Sequence, residues 1–85
     1  MKLTITQAII DRSKRSSASQ CILANAGQDA TGLECMVTRE CLYVFDKEDR
    51  STSYPLTKEA HAVVLAWDMG KTVSPCVLDL PDVEG

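Results

Sequence analysis

Residues 33–54 read LECMVTRECLYVFDKEDRSTSY and form the one stretch where strand-forming residues crowd together in a sequence otherwise compatible with helix. Val37, Tyr43, Val44 and Phe45 are β-branched or aromatic, types that fit a pleated, half-buried surface. The simplest folding is two strands joined by Thr38, Arg39 and Glu40, then a polar turn over 46–50, then a third strand over 51–54 that Pro55 ends. A three-residue loop at 38–40 sets the register. Leu33, Cys35, Val37, Cys41, Tyr43 and Phe45 then share one face, and Met36, Leu42 and Val44 the other. The first set is the expected core. The second face is either covered by another layer or left open to a partner or a dimer mate.

The flanking segments carry mostly helical signals. Residues 2–5 alternate polar and apolar as a short strand does. Thr4 or Thr6 can then cap a helix over 7–14, with Ala8, Ile9 and Ile10 on its apolar side. After a serine-rich connection, Ser17 or Ser19 can cap a second helix over 18–29. Its Ala18, Ala24 and Ala26 let it sit close to a sheet, while Gly27 weakens it by about 1 kcal/mol relative to Ala. Ala60, Val63, Val64 and Trp67 fall at i, i+3, i+4 and i+7, which predicts a helix over 57–69, capped by Thr57 and ended by Gly70 in the left-handed conformation. In the closing run VSPCVLDL, Cys76, Leu78 and Leu80 alternate with Val77 and Asp79, a strand that Pro81 stops. The expected fold class is α+β. One domain over 1–85 holds an antiparallel sheet of about four strands, with two or three helices packed mainly on one face.

Charge narrows the partners. The net charge is −3, with four cations against two carboxylates up to Gly32 and five against ten beyond it. Such a balance disfavours nonspecific binding to nucleic-acid phosphates and suits basic protein surfaces. Cys21, Cys35, Cys41 and Cys76 are an even set, but Asp11, Arg12 and Lys14 cut short the early apolar run, so no signal peptide is expected. The cysteines then read as reduced, small buried hydrophobes, and the host-cell cytoplasm is the expected location. No run approaches the length of a membrane span.

No residue constellation declares a chemistry. His61 has no nucleophile elbow or glycine-rich oxyanion loop to work with, so a solvated place on its helix is expected. Cys35 and Cys41 are too widely spaced to preform half a zinc tetrahedron, and no second close pair exists, so no metal is expected. No phosphate-binding glycine pattern is present, and no cofactor is expected. Arg12, Lys14 and Arg15 form a basic patch among serines, without the aromatics of a base-stacking platform. The larger acidic set, Asp46, Glu48, Asp49, Asp79, Asp82 and Glu84, could meet a basic protein surface.

Three segments together resemble a loose family of small phage and prophage accessory proteins. They are the small-residue helix with Cys21-Ile22-Leu23-Ala24, the helix running from Glu59-Ala60 to Trp67-Asp68-Met69-Gly70, and the closing strand Ser74-Pro75-Cys76-Val77-Leu78-Asp79-Leu80. A proline usually follows the helical cysteine in that family, and Ile22 stands there in this chain. The resemblance implies a setting in which small acidic proteins such as anti-CRISPRs bind and block host machinery. The expectation is a non-enzymatic inhibitor that masks the surface of a host defence protein complex. Its contact candidates are Asp46, Glu48, Asp49, Met36, Leu42, Val44, Asp79, Asp82 and Glu84. The alternative is a nucleic-acid-associated regulator using Arg12, Lys14 and Arg15, and a homodimer through the sheet is a further expectation.

Overall fold

The computed structural model describes residues 1–15 and 17–81. At its centre is helix α2 (Ile22–Thr31). Every residue from Cys21 to Gly27 is buried, so the first two turns have no solvent side, unlike the one-sided burial of a surface helix. Five elements pack on it: strand β1 (Lys2–Ile5), helix α1 (Gln7–Arg12), strands β2 (Glu34–Val37) and β3 (Cys41–Phe45), and helix α3 (Lys58–Asp68). Ala24, Ala26 and Gly27 make this enclosure possible, because close packing leaves no room for larger side chains on every side of a helix.

The fold is α+β with antiparallel strands, as the patterning indicates, but the strands divide into two sheets rather than one of about four. In the smaller, β1 pairs with β5 (Cys76–Asp79). In the larger, β2, β3 and β4 (Ser51–Pro55) lie in that order. The buried rows of both sheets, Leu3, Ile5 and Leu78 in one and Cys35, Val37, Leu42 and Val44 in the other, join α2 in one core.

Local chemistry places most of the boundaries. The Thr6 hydroxyl accepts from the Ile9 N–H at 3.2 Å, and the Thr57 hydroxyl from the Ala60 N–H at 3.1 Å; both are N-caps of the expected kind. Helix α1 stops at Arg12, short of residue 14, because the chain turns inward and the Lys14 N–H donates to the Gln20 carbonyl at 2.8 Å. Helix α2 starts at Ile22, later than residue 18. Ser17 accepts from the Gln20 N–H, but as part of a turn, and the Ala18 carbonyl instead takes the Val37 N–H at 2.8 Å. A tertiary bond to β2 thus replaces the first helical turn. Gly32, at φ 72°, closes α2 in the left-handed region.

The β2–β3 hairpin differs from expectation by one residue of loop. The Thr38 hydroxyl accepts the N–H of Cys41 at 3.1 Å, and the Thr38 N–H donates to the Cys41 carbonyl at 2.9 Å. Thr38 therefore stands opposite Cys41, and only Arg39 and Glu40 remain in the loop. Neither has a positive φ, so this is not the mirror-image turn that two-residue hairpins favour; the threonine hydroxyl holds it. The register becomes Cys35 to Val44 and Val37 to Leu42. A slip of one turns every side chain of β3 over. Leu42 and Val44 are in the core, and Cys41, Tyr43 and Phe45 face outward with Met36.

Gly27 marks the closest approach of α2 to the sheet. A Cβ there would lie 2.8 Å from Cys35 Sγ and 3.4 Å from Leu42 Cδ2. Gly27→Ala should therefore lower stability by about 1–3 kcal/mol through overpacking, in spite of alanine's better helix propensity. Adding Cys35→Ala removes the obstructing sulfur, so urea denaturation of the two single variants and the double should give a non-additive cycle with the double recovering stability. A Gly27→Ala protein as stable as the wild type would show that β2 can move away from the helix.

Candidate functional site

The turn of β3 creates an outer sheet face. Met36 stands opposite Tyr43, which stands opposite Ser53; Glu34 stands opposite Phe45, which stands opposite Ser51. Met36 is 42% exposed, and Tyr43 and Phe45 are half-buried. Helix α2 packs on the inner face, where Cys35, Val37, Leu42 and Val44 are buried. Two of the chain's four aromatic residues thus lie on the outward side of the sheet.

Beside that face is the hairpin turn from Asp46 to Arg50. Asp46 builds it: one carboxylate oxygen accepts the N–H groups of Glu48 at 2.8 Å and Arg50 at 3.0 Å, and its own N–H donates to the Arg50 carbonyl at 2.9 Å. This is an Asx turn. Asp49 takes φ 61°, a conformation that Asp tolerates better than most residues. Glu48 lies 3.6 Å from Arg50, both well exposed, a surface pair of small energetic weight. Within the turn, Asp49 has a carboxylate with no hydrogen bond or ion pair to the described chain, whereas Asp46 is committed to shape.

A groove of about 700 Å³ runs from this corner along β2 to the α1–α2 connection. It is lined by Glu34, Met36, Phe45 and Asp49 from the sheet and its turn, by Lys14 from the α1–α2 connection, and by Asn25 of α2. The groove therefore brings Met36 and Asp49 together with Arg12 and Lys14, residues that the sequence assigned to competing functions. The remaining candidates do not converge. Leu42 and Val44, expected as partner contacts on the second sheet face, are core residues 0% and 6% exposed; the two-residue loop put them there. Asp79 is exposed on β5, opposite Lys2 in the other sheet. Asp82 and Glu84 lie outside the described residues.

The basic patch is largely engaged in holding the fold. Arg12 pairs with Asp29 at 2.6 Å. Arg15 stacks over the Trp67 ring at 4.0 Å from its centroid and donates to the carbonyls of Trp67 and Lys71 at the end of α3, where a cation also meets the negative end of the helix dipole. Trp67 Nε1 donates to the Lys14 carbonyl at 2.9 Å. Only the Lys14 ammonium remains available to a ligand among these three. Arg15→Ala should cost about 1–2 kcal/mol of stability through loss of the stacking and the helix cap, and should change the Trp67 emission of the folded protein. An unchanged melting temperature and spectrum would return Arg15 to the surface patch.

The cysteines behave as packing. All four are free, Cys21 and Cys35 buried and Cys41 and Cys76 half-buried. Burial pushes the thiols of Cys21 and Cys35 above their ordinary value. A thiol raised on folding stabilises the protein fully below its unfolded pKa, and that contribution fades as pH rises through and beyond about 8.5. At pH 8 a disulfide reagent should accordingly label Cys41 and Cys76 in the folded protein, and Cys21 and Cys35 only after denaturation. Rapid labelling of all four without denaturant would contradict this packing. Among the described residues, no group of three His, Cys, Asp or Glu side chains could hold a metal ion. His61 is exposed on α3, and no hydrogen bond joins its ring to another described residue. No described helix is long and apolar enough to cross a membrane.

Sequence reasoning missed Tyr43, Phe45 and Asn25. The first two followed from the assumed loop length. Asn25 had a readable signal: a polar side chain flanked by Ala24 and Ala26 on a helix apolar enough to be enclosed has to find partners. No family model, curated protein or solved structure matches this chain.

Proposed function

We propose that this protein is a non-enzymatic binding module that masks a surface of a host defence protein complex, in the manner of a phage-encoded inhibitor. The observation that carries the binding reading is the outward-facing row of exposed Met36 and half-buried Tyr43 and Phe45 on the outer sheet face. Apolar and aromatic groups gathered on an exposed face are the usual core of a protein interface. The flanking Glu34, Glu48 and Asp49 fit a partner whose patch is rimmed by basic residues. The phage setting rests on the resemblance of the three sequence segments alone. A nucleic-acid regulator has less support, because Arg12 and Arg15 are bound within the fold.

The test is phage plaquing on a host whose RNA-guided immunity targets that phage. Expressing the wild-type protein should restore plaques, and so should Leu65→Glu, which alters an exposed hydrophobic residue of α3. Tyr43→Glu, with folding checked by circular dichroism, should restore few, because it places a charge in the middle of the contact row. Immunity left intact by the wild-type protein would end the inhibitor reading. Full activity of Tyr43→Glu would end the role of the outer face.

A further inference from the structure

The groove beside β2 indicates what chemistry a partner brings to the acidic edge of the sheet. Among the residues that line it, Glu34, Asp49 and Asn25 carry side-chain acceptors to which no described donor is bonded. Asn25 is the informative one. It is only 8% exposed, and its Nδ2 donates to Ser13 Oγ at 2.9 Å and to the Gln20 carbonyl at 3.2 Å. A backbone carbonyl can only accept, so these bonds fix which end of the amide is nitrogen. The Ser13 hydroxyl in turn donates to the Ile9 carbonyl, which locks the assembly. The oxygen is left over, held rigidly in a groove that Asn25 lines. Among the described residues no side-chain nitrogen or oxygen is fully buried without a partner, so this oxygen is open to the groove, where a ligand's donor can reach it.

We infer that this groove receives an arginine side chain from an extended basic segment of the partner; the inference rests on the binding-module reading above. Phe45 and Met36 supply an apolar wall, and a guanidinium is the cation that stacks on an aromatic face while presenting planar donors at its edges. Glu34 and Asp49 supply charged acceptors, and Asn25 a neutral one. Of the cations lining the groove, Arg12 already faces Asp29 and Lys14 alone is not neutralised. An incoming cation thus meets two open carboxylates and one ammonium. An anion seated against Phe45 would meet the same two carboxylates, which disfavours a nucleotide there.

The experiment is a titration of the isotope-labelled full chain, followed by NMR, with the capped tripeptide Gly-Arg-Gly and with its lysine and citrulline counterparts. The arginine peptide should give saturable shifts at the Asn25 side-chain amide and at the Glu34 and Phe45 backbone amides. Citrulline, the neutral isostere, and lysine should bind more weakly, citrulline by roughly tenfold. The Glu34→Gln/Asp49→Asn pair, two exposed substitutions that keep the fold, should weaken the arginine peptide by roughly tenfold as well. Equal response to citrulline, shifts that ignore Glu34→Gln/Asp49→Asn, or saturation of the same residues by a short oligonucleotide would each overturn the inference. So would concentration-dependent shifts at these residues without peptide, which would mark a second copy as the occupant. If plaques are restored while the peptide gives no shifts, the binding-module reading stands and the groove falls. Arginine-specific binding without plaque restoration supports the groove and removes the inhibitor reading.

Discussion

The close approach of α2 to β2 is the constraint from which the rest of the structure follows. Gly27 lets the helix lie directly on Cys35 and Leu42, and the small residues around it let other elements close over the remaining sides. On so enclosed a helix, the Asn25 amide nitrogen must find its partners inside the protein. It finds Ser13 and the Gln20 carbonyl, and that requirement draws the α1–α2 connection across the helix. The drawn-in connection then offers its Ala18 carbonyl to β2 and its Lys14 carbonyl to Trp67. Arg15, from the same connection, clamps the end of α3. One steric permission at a glycine thus propagates through hydrogen bonds to the position of a helix some thirty residues further along the chain.

The features readable in advance were those set within a few residues. The caps at Thr6 and Thr57, the stripe from Ala60 to Trp67 and the alternation through Cys76, Leu78 and Leu80 each depend on neighbours in sequence, and each lies where the patterning put it. The features not readable were settled by distant atoms or by competition between near-equal choices. Ser17 and Ser19 both look like caps for α2, and the bond from Val37 to Ala18 decides against a helix at that point. Arg12, Lys14 and Arg15 look like a free basic patch until Asp29 and Trp67 are placed beside them. At the hairpin, a three-residue and a two-residue loop were equally compatible with composition, and a single hydroxyl, that of Thr38, chose between them. That choice exchanged Leu42 and Val44 for Tyr43 and Phe45 on the outer face, so the candidate site kept Met36 and Asp49 but changed most of its apolar members.

The topology explains why the outer face is bare. Helix α2 packs on β1 and on β2 alike, α1 has only six residues, and α3 packs on α2. No described helix is left to form another layer over β2, β3 and β4. It does not explain why the face is apolar. Threonine or lysine at 36, 43 and 45 would suit exposed strand positions and blunt unwanted association. Burying a Phe or Met side chain is worth about 1.5–3 kcal/mol, and the isolated chain forgoes part of that at exposed Met36 and a smaller part at half-buried Tyr43 and Phe45. The partner proposed above would recover it without a conformational change, because the row is already held in register by backbone pairing on both sides of β3. Apolar area alone is indiscriminate, however, and would serve a second copy as well as a foreign protein. In the proposed reading, the neighbouring acceptors, Glu34, Asp49 and the fixed oxygen of Asn25, would supply the discrimination. They would reward a partner that carries donors at one edge of an apolar patch, and penalise one that leaves those carboxylates desolvated and unpaired.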